Sequence, residues 1–138
     1  MLKLKTIIVS FVTGVLCLFQ TGVGYTSPDC GLYQYRAKII RVVDGDTVRA
    51  DIDLGFNTWR RNEALRLDGI DAPEPKGATR EAGKASTAAL TERVEGKELT
   101  ICTIKDKAGK YGRYLVRLYL GDEDINTWMI KAGYAVPY

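Results

Sequence analysis

Three β-rich runs punctuated by tight-turn residues precede a single helical stretch, and two more β-rich runs follow it. That order admits few topologies. The first run, 35–43, contains Ile39, Ile40, Val42 and Val43 and stops at Asp44-Gly45, a turn dipeptide. The second, 47–54, alternates, with Val48, Ala50, Ile52 and Leu54 on one side and Arg49, Asp51 and Asp53 on the other. A period of two is that of a half-buried strand. Gly55-Phe56-Asn57 turns the chain into the third run, 58–67, which Asp68-Gly69 ends. Short turns between neighbouring strands predict a meander. Pro73 and Pro75 then bar regular structure, because proline lacks the amide donor that a ladder or a helix needs.

Residues 79–94 differ in character. Ala82, Ala85, Ala89, Leu90 and Val94 recur at helical spacing among Glu, Lys and Arg, which predicts an amphipathic helix ending near Gly96. Strands at 99–104 and 113–120 follow, joined by a polar loop over 106–112. Residues 124–132 read as a short helix, with Asp124 as its cap and Gly133 as its stop. Five strands with one helix between the third and fourth, and a short helix after the fifth, is the order of an OB-fold: a five-stranded β-barrel of α+β class. Such barrels bind nucleic acids, sugars and proteins, so the fold alone leaves function open.

Composition narrows the chemistry. The chain has no histidine, which excludes a Ser-His-Asp triad, a Cys-His dyad and a His-ligated zinc site. Its three cysteines are too few for a Cys₄ zinc site. Acid–base chemistry near neutral pH therefore falls to carboxylates, Lys, Tyr, Cys or a metal-bound water. Net charge is +3, and it drops to +1 without Lys3 and Lys5. A chain so nearly neutral does not coat nucleic acid; it would bind one through a few placed arginines.

Residues 1–24 have the pattern of a secretory signal peptide. Lys3 and Lys5 precede an apolar run over 7–19, and Gly22 and Gly24 bracket Val23 in a small-residue cleavage pattern. The expected organisation is a leader at 1–24, an N-terminal extension at 25–36 and one domain at 37–138. The expected location is secreted or periplasmic, with a membrane anchor by an uncleaved leader as the alternative. Cys17 leaves with the leader. Cys102 lies in an apolar run and reads as a buried hydrophobe. Its pairing with Cys30 needs a proximity that sequence does not supply.

The acids gather at turns. Asp44 and Asp46 flank Gly45, while Asp71 and Glu74 flank Ala72-Pro73. Either turn alone has a structural explanation, since Asp-Gly and Asp-x-Pro are ordinary turn formers. Together, at the ends of adjacent strands, they are expected to converge on one rim of the barrel. Oxygen donors in that arrangement suit Ca²⁺ or Mg²⁺. Arg66 lies at the end of the third run, five residues before Asp71, and Arg113 follows Lys110-Tyr111-Gly112 at the head of the fifth. A lone arginine on a strand is usually just solvated. Arginine is also the side chain suited to gripping phosphate through two parallel hydrogen bonds. A metal, a carboxylate and two guanidiniums are together sufficient for phosphodiester hydrolysis.

These residues fall into four ordered motifs: Val43-Asp44-Gly45-Asp46-Thr47-Val48, Leu65-Arg66-Leu67, Ile70-Asp71-Ala72-Pro73-Glu74 and Lys110-Tyr111-Gly112-Arg113. In that order the chain resembles the staphylococcal nuclease (thermonuclease-like) family from about residue 37 to about 136. The resemblance implies the OB barrel and a Ca²⁺-dependent nuclease acting on DNA, with RNA as a further substrate; a monomer is the default expectation. It implies that Asp46, Asp71 and the main-chain carbonyl of Ala72 hold one Ca²⁺, with Asp44 in support. It casts Glu74 as general base or water-orienting group, Arg66 and Arg113 as catalytic phosphate-binding arginines, and Lys110 and Tyr111 as lining the phosphate site. Three departures accompany it. Ala72 stands where the founding member has threonine, the loop over 75–81 is shorter, and Tyr138 comes soon after the second helix, where the founding nuclease continues into a further one. The competing expectation is an inactive OB-fold module that binds nucleic acid or protein, with Tyr111, Tyr114 and Tyr119 as stacking platforms.

Overall fold

A computed structural model describes Cys30, Gly31 and residues 33–108 and 112–138 of the chain. The leader expected at 1–24, and Lys110 and Tyr111, lie outside the described residues. Five long strands build the barrel: β1 (Gln34–Asp44), β2 (Thr47–Asp53), β3 (Trp59–Leu67), β5 (Glu98–Ala108) and β6 (Tyr114–Leu120). Three two-residue strands are added to them: β4 (Ile70–Asp71), β7 (Glu123–Asp124) and β8 (Val136–Pro137). Helix α1 (Arg80–Val94) lies between β3 and β5 in sequence, and α2 (Ile125–Lys131) follows β7.

Sheet order is β3-β2-β1-β5-β6-β7, and a parallel pairing of β3 with β6 closes it. The closing register is short: Leu65 opposite Tyr114, Arg66 opposite Leu115, Leu67 opposite Val116. The expected five-stranded OB barrel is therefore the observed fold. Alternation on β2 is as expected, with Val48, Ala50 and Ile52 inside, joined by Ile39, Leu65, Leu67, Ile101, Val116 and Leu118. Closure removes the open edges that a flat five-stranded sheet would expose.

Two expectations need correcting. Strand β5 continues to Ala108, which pairs with Tyr114, so residues 106–108 belong to a strand and not to a polar loop. Ladder bonds use the backbone, so polar residue types at a strand end do not prevent pairing. On α1 the buried stripe is Gly83, Ser86, Leu90 and Val94. Ala82 and Ala85 face solvent. Small residues at the head of this stripe let the helix approach the loops beneath it.

Helix α2 starts where expected, with the Asp124 carboxylate accepting the Thr127 N–H at 3.0 Å. Its buried Asn126 is a tie the sequence did not advertise. The amide accepts from Leu118 N (3.1 Å) and donates to Val116 O (3.0 Å) and Asp68 O (2.9 Å), which fixes the turn after β3. Strand β8 pairs with β4, placing Val136 opposite Asp71. Cys30 and Cys102 are joined by a disulfide with Cα atoms 5.5 Å apart. Cys102 is buried, as its apolar run suggested, but it is bridged and not a free thiol.

Candidate active site

The two acidic turns converge because α1 packs against both. A Cβ on Gly45 would lie 2.6 Å from Ala72 Cβ and 2.9 Å from Ser86 Cβ, closer than real atoms come. Only glycine lets the first turn reach Ala72 of the second turn while both rest on α1. One helical turn earlier, a Cβ on Gly83 would strike the Glu74 carbonyl and come within 2.5 Å of Pro75 N. Thr79 Oγ1 donates to that same Glu74 carbonyl at 3.0 Å. Gly45, Gly83 and Ser86 thus set the spacing of the site without entering it.

Asp46 lies at the centre, with 7% of its side chain exposed. Its Oδ1 accepts from Arg66 Nη1 at 2.5 Å and from Thr47 Oγ1 at 2.9 Å, and its Oδ2 accepts from Ala72 N at 3.2 Å. Asp44 supports the turn by accepting the Asp46 N–H at 3.1 Å. Arg66 forks: Nη2 reaches Asp71 Oδ1 at 3.0 Å and Ile70 O at 3.4 Å. One guanidinium therefore spans both carboxylates, Asp46 buried and Asp71 half exposed. Arg113 Nη1 donates to Thr47 Oγ1 at 3.0 Å, which aims it at the same turn. Arg66, Asp71, Glu74 and Arg113 all line one cleft of about 690 Å³, together with Leu115 and Tyr138.

Burial pushes the Asp46 carboxyl above its ordinary range. The Ala72 N–H and the Arg66 charge oppose that, while Asp44 adds repulsion, and the net direction is up. Arg66 is lowered by its own burial, but the Asp46 charge and bonds to Asp71 and Asp46 outweigh this and hold it above its ordinary value. Among the described residues no three acidic side chains converge as a ready metal cage. The available donors are two carboxylates linked by Arg66 and the main chain of Ala72, an all-oxygen set that suits a hard, partly hydrated cation.

Of the residues singled out in sequence, the structure brings together Asp44, Asp46, Arg66, Asp71, Ala72, Glu74 and Arg113. Tyr114 faces away from this cleft into another pocket, and Tyr119 lies at the far end of β6 opposite Thr100. Gly83, Ser86 and Asn126 were missed, and Gly45 was read as a turn residue without its contact to Ala72 and Ser86. The 83-86-90-94 spacing, small residues leading into Leu and Val, was a signal for the first helical contacts.

Comparison with known proteins agrees with this arrangement. The family model described as "Staphylococcal nuclease homologue" matches residues 64–138, more than half of the chain. That match includes Arg66, Asp71, Ala72, Glu74 and Arg113 and begins after Asp46. A thermonuclease of Staphylococcus intermedius is 33% identical over 98 residues, covering 69% of this chain and 55% of its own length. A thermonuclease of Staphylococcus hyicus is 31% identical over 101 residues, covering 71% and 56%. An uncharacterised protein of Bacillus anthracis is 29% identical over 110 residues, covering 77% and 49%. The chain spans about half the length of these relatives. With its barrel, its two acidic turns and a family match over most of the site, the chain belongs to the family of staphylococcal nuclease homologues.

Proposed function

We propose that this chain is a Ca²⁺-dependent nuclease that hydrolyses phosphodiester bonds of DNA, with RNA open to the same chemistry. The observation that carries the reading is the convergence of Arg66, Arg113, Glu74 and Asp71 on one cleft, backed by the buried Asp46. Asp46, Asp71 and the Ala72 carbonyl would hold the cation, with water completing the shell. When bound, Ca²⁺ supplies Lewis-acid polarisation of a phosphoryl oxygen.

The chain's own groups account for the rest. Arg66 and Arg113 donate hydrogen bonds to the non-bridging phosphate oxygens, and they hold charge that grows as the phosphorus becomes five-coordinate. Arg66 leaves Asp71 to do this, exchanging one oxygen partner for another. Glu74, on a loop clamped by Thr79 and Gly83, orients the attacking water and takes its proton. The main-chain N–H of Ala72 and the hydroxyl of Thr47 keep Asp46 fixed while Arg66 moves.

The inactive-module reading requires loss of an arginine or of Glu74, and all three are present. Export is part of the proposal. It is supported by the leader pattern at 1–24 and by a disulfide, a bond that persists in oxidising compartments. No helix among the described residues is long and apolar enough to cross a membrane. We take the working form to be a monomer with its N-terminus near Tyr25, which intact-mass measurement of exported protein checks. Activity is tested by incubating plasmid and single-stranded DNA with the chain in Ca²⁺ or EGTA. Cleavage only with Ca²⁺ is expected; a folded chain that cuts in neither, nor in Mg²⁺ or Mn²⁺, refutes the reading.

A further inference from the structure

The β3–β6 pair that closes the barrel carries a second concavity on its other face. Neighbouring residues on a strand point to opposite sides. Arg66 and Leu115 face the cleft, while Leu65 and Tyr114, paired one step earlier on the same two strands, line a pocket of about 380 Å³. All five long strands or their ends contribute, so this pocket is the open end of the barrel interior. Ile52 and Leu65 form an apolar floor, and Tyr33, Tyr35 and Tyr114 form aromatic walls. The Arg60 guanidinium lies over the Tyr114 ring, 5.3 Å from its centroid.

The pocket is built and held. The Cys30–Cys102 disulfide anchors the chain just before Tyr33, and the Tyr33 carbonyl accepts the Thr103 N–H at 2.9 Å. At its rim Leu54 is 39% and Tyr114 37% exposed, so both are open to a ligand.

We infer that this barrel mouth is a binding subsite for one unstacked base of the same nucleic-acid strand whose phosphate lies in the cleft. The inference rests on the nuclease reading above and adds a residue set to it. Three observations select the occupant. The mouth and the cleft flank the same β3–β6 pair on opposite faces, with Leu65 and Tyr114 each one residue from Arg66 and Arg113. Its walls carry three tyrosine rings, with the Arg60 guanidinium over one of them and neutralised at 2.8 Å by the Glu63 carboxylate, which also lines the pocket; rings and a guanidinium are the chemistry that accepts any base by stacking and cation–π contact. Its volume is that of a small-molecule site, too narrow for a duplex. A strand crossing the β3–β6 rim thus engages both faces, phosphate on one and base on the other.

The test measures binding of a labelled single strand of about 12 nucleotides, within the span an OB-fold engages, and of a dinucleotide, both in EDTA so that nothing is cut. Tyr114→Ala is expected to weaken the long strand about tenfold, the scale of one lost base stack, and to change the dinucleotide less than twofold. Tyr114→Phe keeps the ring and restores binding. Leu54→Glu, at the exposed rim, places a carboxylate beside the strand and weakens it severalfold without touching the core. Equal losses for both ligands, or none in either folded variant, overturn the subsite. So does a self-association of the chain that Tyr114→Ala abolishes while strand binding stays intact. Cleavage assayed on the same samples in Ca²⁺ separates the two readings. A chain that cuts but ignores Tyr114→Ala loses only the subsite, and one that binds through Tyr114 yet never cuts loses only the nuclease.

Discussion

The cleft and the mouth lie back to back on the same two strands and are built in opposite ways. The cleft is polar and held by charge: Asp46 is buried under Arg66, and Asp71 shares the same guanidinium. The mouth is apolar and held by covalent and main-chain ties, the disulfide and the Tyr33–Thr103 hydrogen bond. A site that stabilises developing charge needs fixed dipoles and ions at set distances. A site that accepts a base by stacking needs only surface of the right breadth. The shared β3–β6 pair explains how one strand of substrate could use both.

The sharpest way to separate the two faces is to disable the cleft alone. Glu74→Gln and Arg66→Lys keep side-chain size or charge while removing the carboxylate or the fork. Each is expected to lower kcat by about 10²–10³; Glu74→Gln leaves oligonucleotide affinity in EDTA within twofold, while Arg66→Lys also weakens it through the lost fork; initial-rate and anisotropy measurements read the pair. Near-native kcat in either variant breaks the comparison.

The reverse experiment loosens the mouth. Replacing both Cys30 and Cys102 by Ser opens a loop closed over 72 residues of sequence separation. We expect a loss of about 2–4 kcal/mol in unfolding free energy and weaker binding of the long strand, with cleavage of a dinucleotide retained. Urea unfolding of the two forms checks the first and anisotropy the second. Next in size is Gly83→Ala. Its Cβ meets the Glu74 backbone, so about 1–3 kcal/mol of overpacking should accompany a fall in kcat, with binding at the mouth unmoved.

The smallest effect concerns the hairpin beside the mouth. The Asn62 N–H, bonded at 2.8 Å, and the Arg61 guanidinium, at 2.7 Å, hold the Asp51 carboxyl below its ordinary 3.8. A lowered folded pKa stabilises the fold above the unfolded value, and the gain disappears as pH falls through the folded one. The difference in Tm between wild type and Asp51→Asn should therefore be full at neutral pH and shrink as pH falls below the ordinary 3.8. A difference that grows as pH falls contradicts the assignment.

How much of this was legible differs between the faces. The convergence of Asp46, Asp71, Arg66 and Arg113 could be read because these residue types stand beside turns, and turns announce themselves through Gly and Pro. Strand order supplied the barrel for a similar reason, since each β-rich run was bounded by such residues. The mouth was illegible as a site. Tyr33, Ile52, Arg60 and Tyr114 come from four separate parts of the chain and share no motif; Ile52 was read as an inward strand position and Tyr114 as a stacking candidate without a place. The α1 contacts were misread for another reason. Alanine is at home on either face of a helix, so Ala82 and Ala85 carried no information, whereas Gly83 and Ser86 matter through atoms they lack. Extension of β5 to Ala108 was hidden because ladder bonds belong to the backbone and leave no trace in side-chain polarity.

The most direct test of the central claim is cleavage of single-stranded DNA by the folded chain and its Glu74→Gln variant, each in Ca²⁺ and in EGTA. The account predicts cutting by the wild type in Ca²⁺ alone, reduced by about 10²–10³ in the variant. Cleavage that persists in EGTA, or a folded Glu74→Gln chain that cuts like wild type, would contradict it.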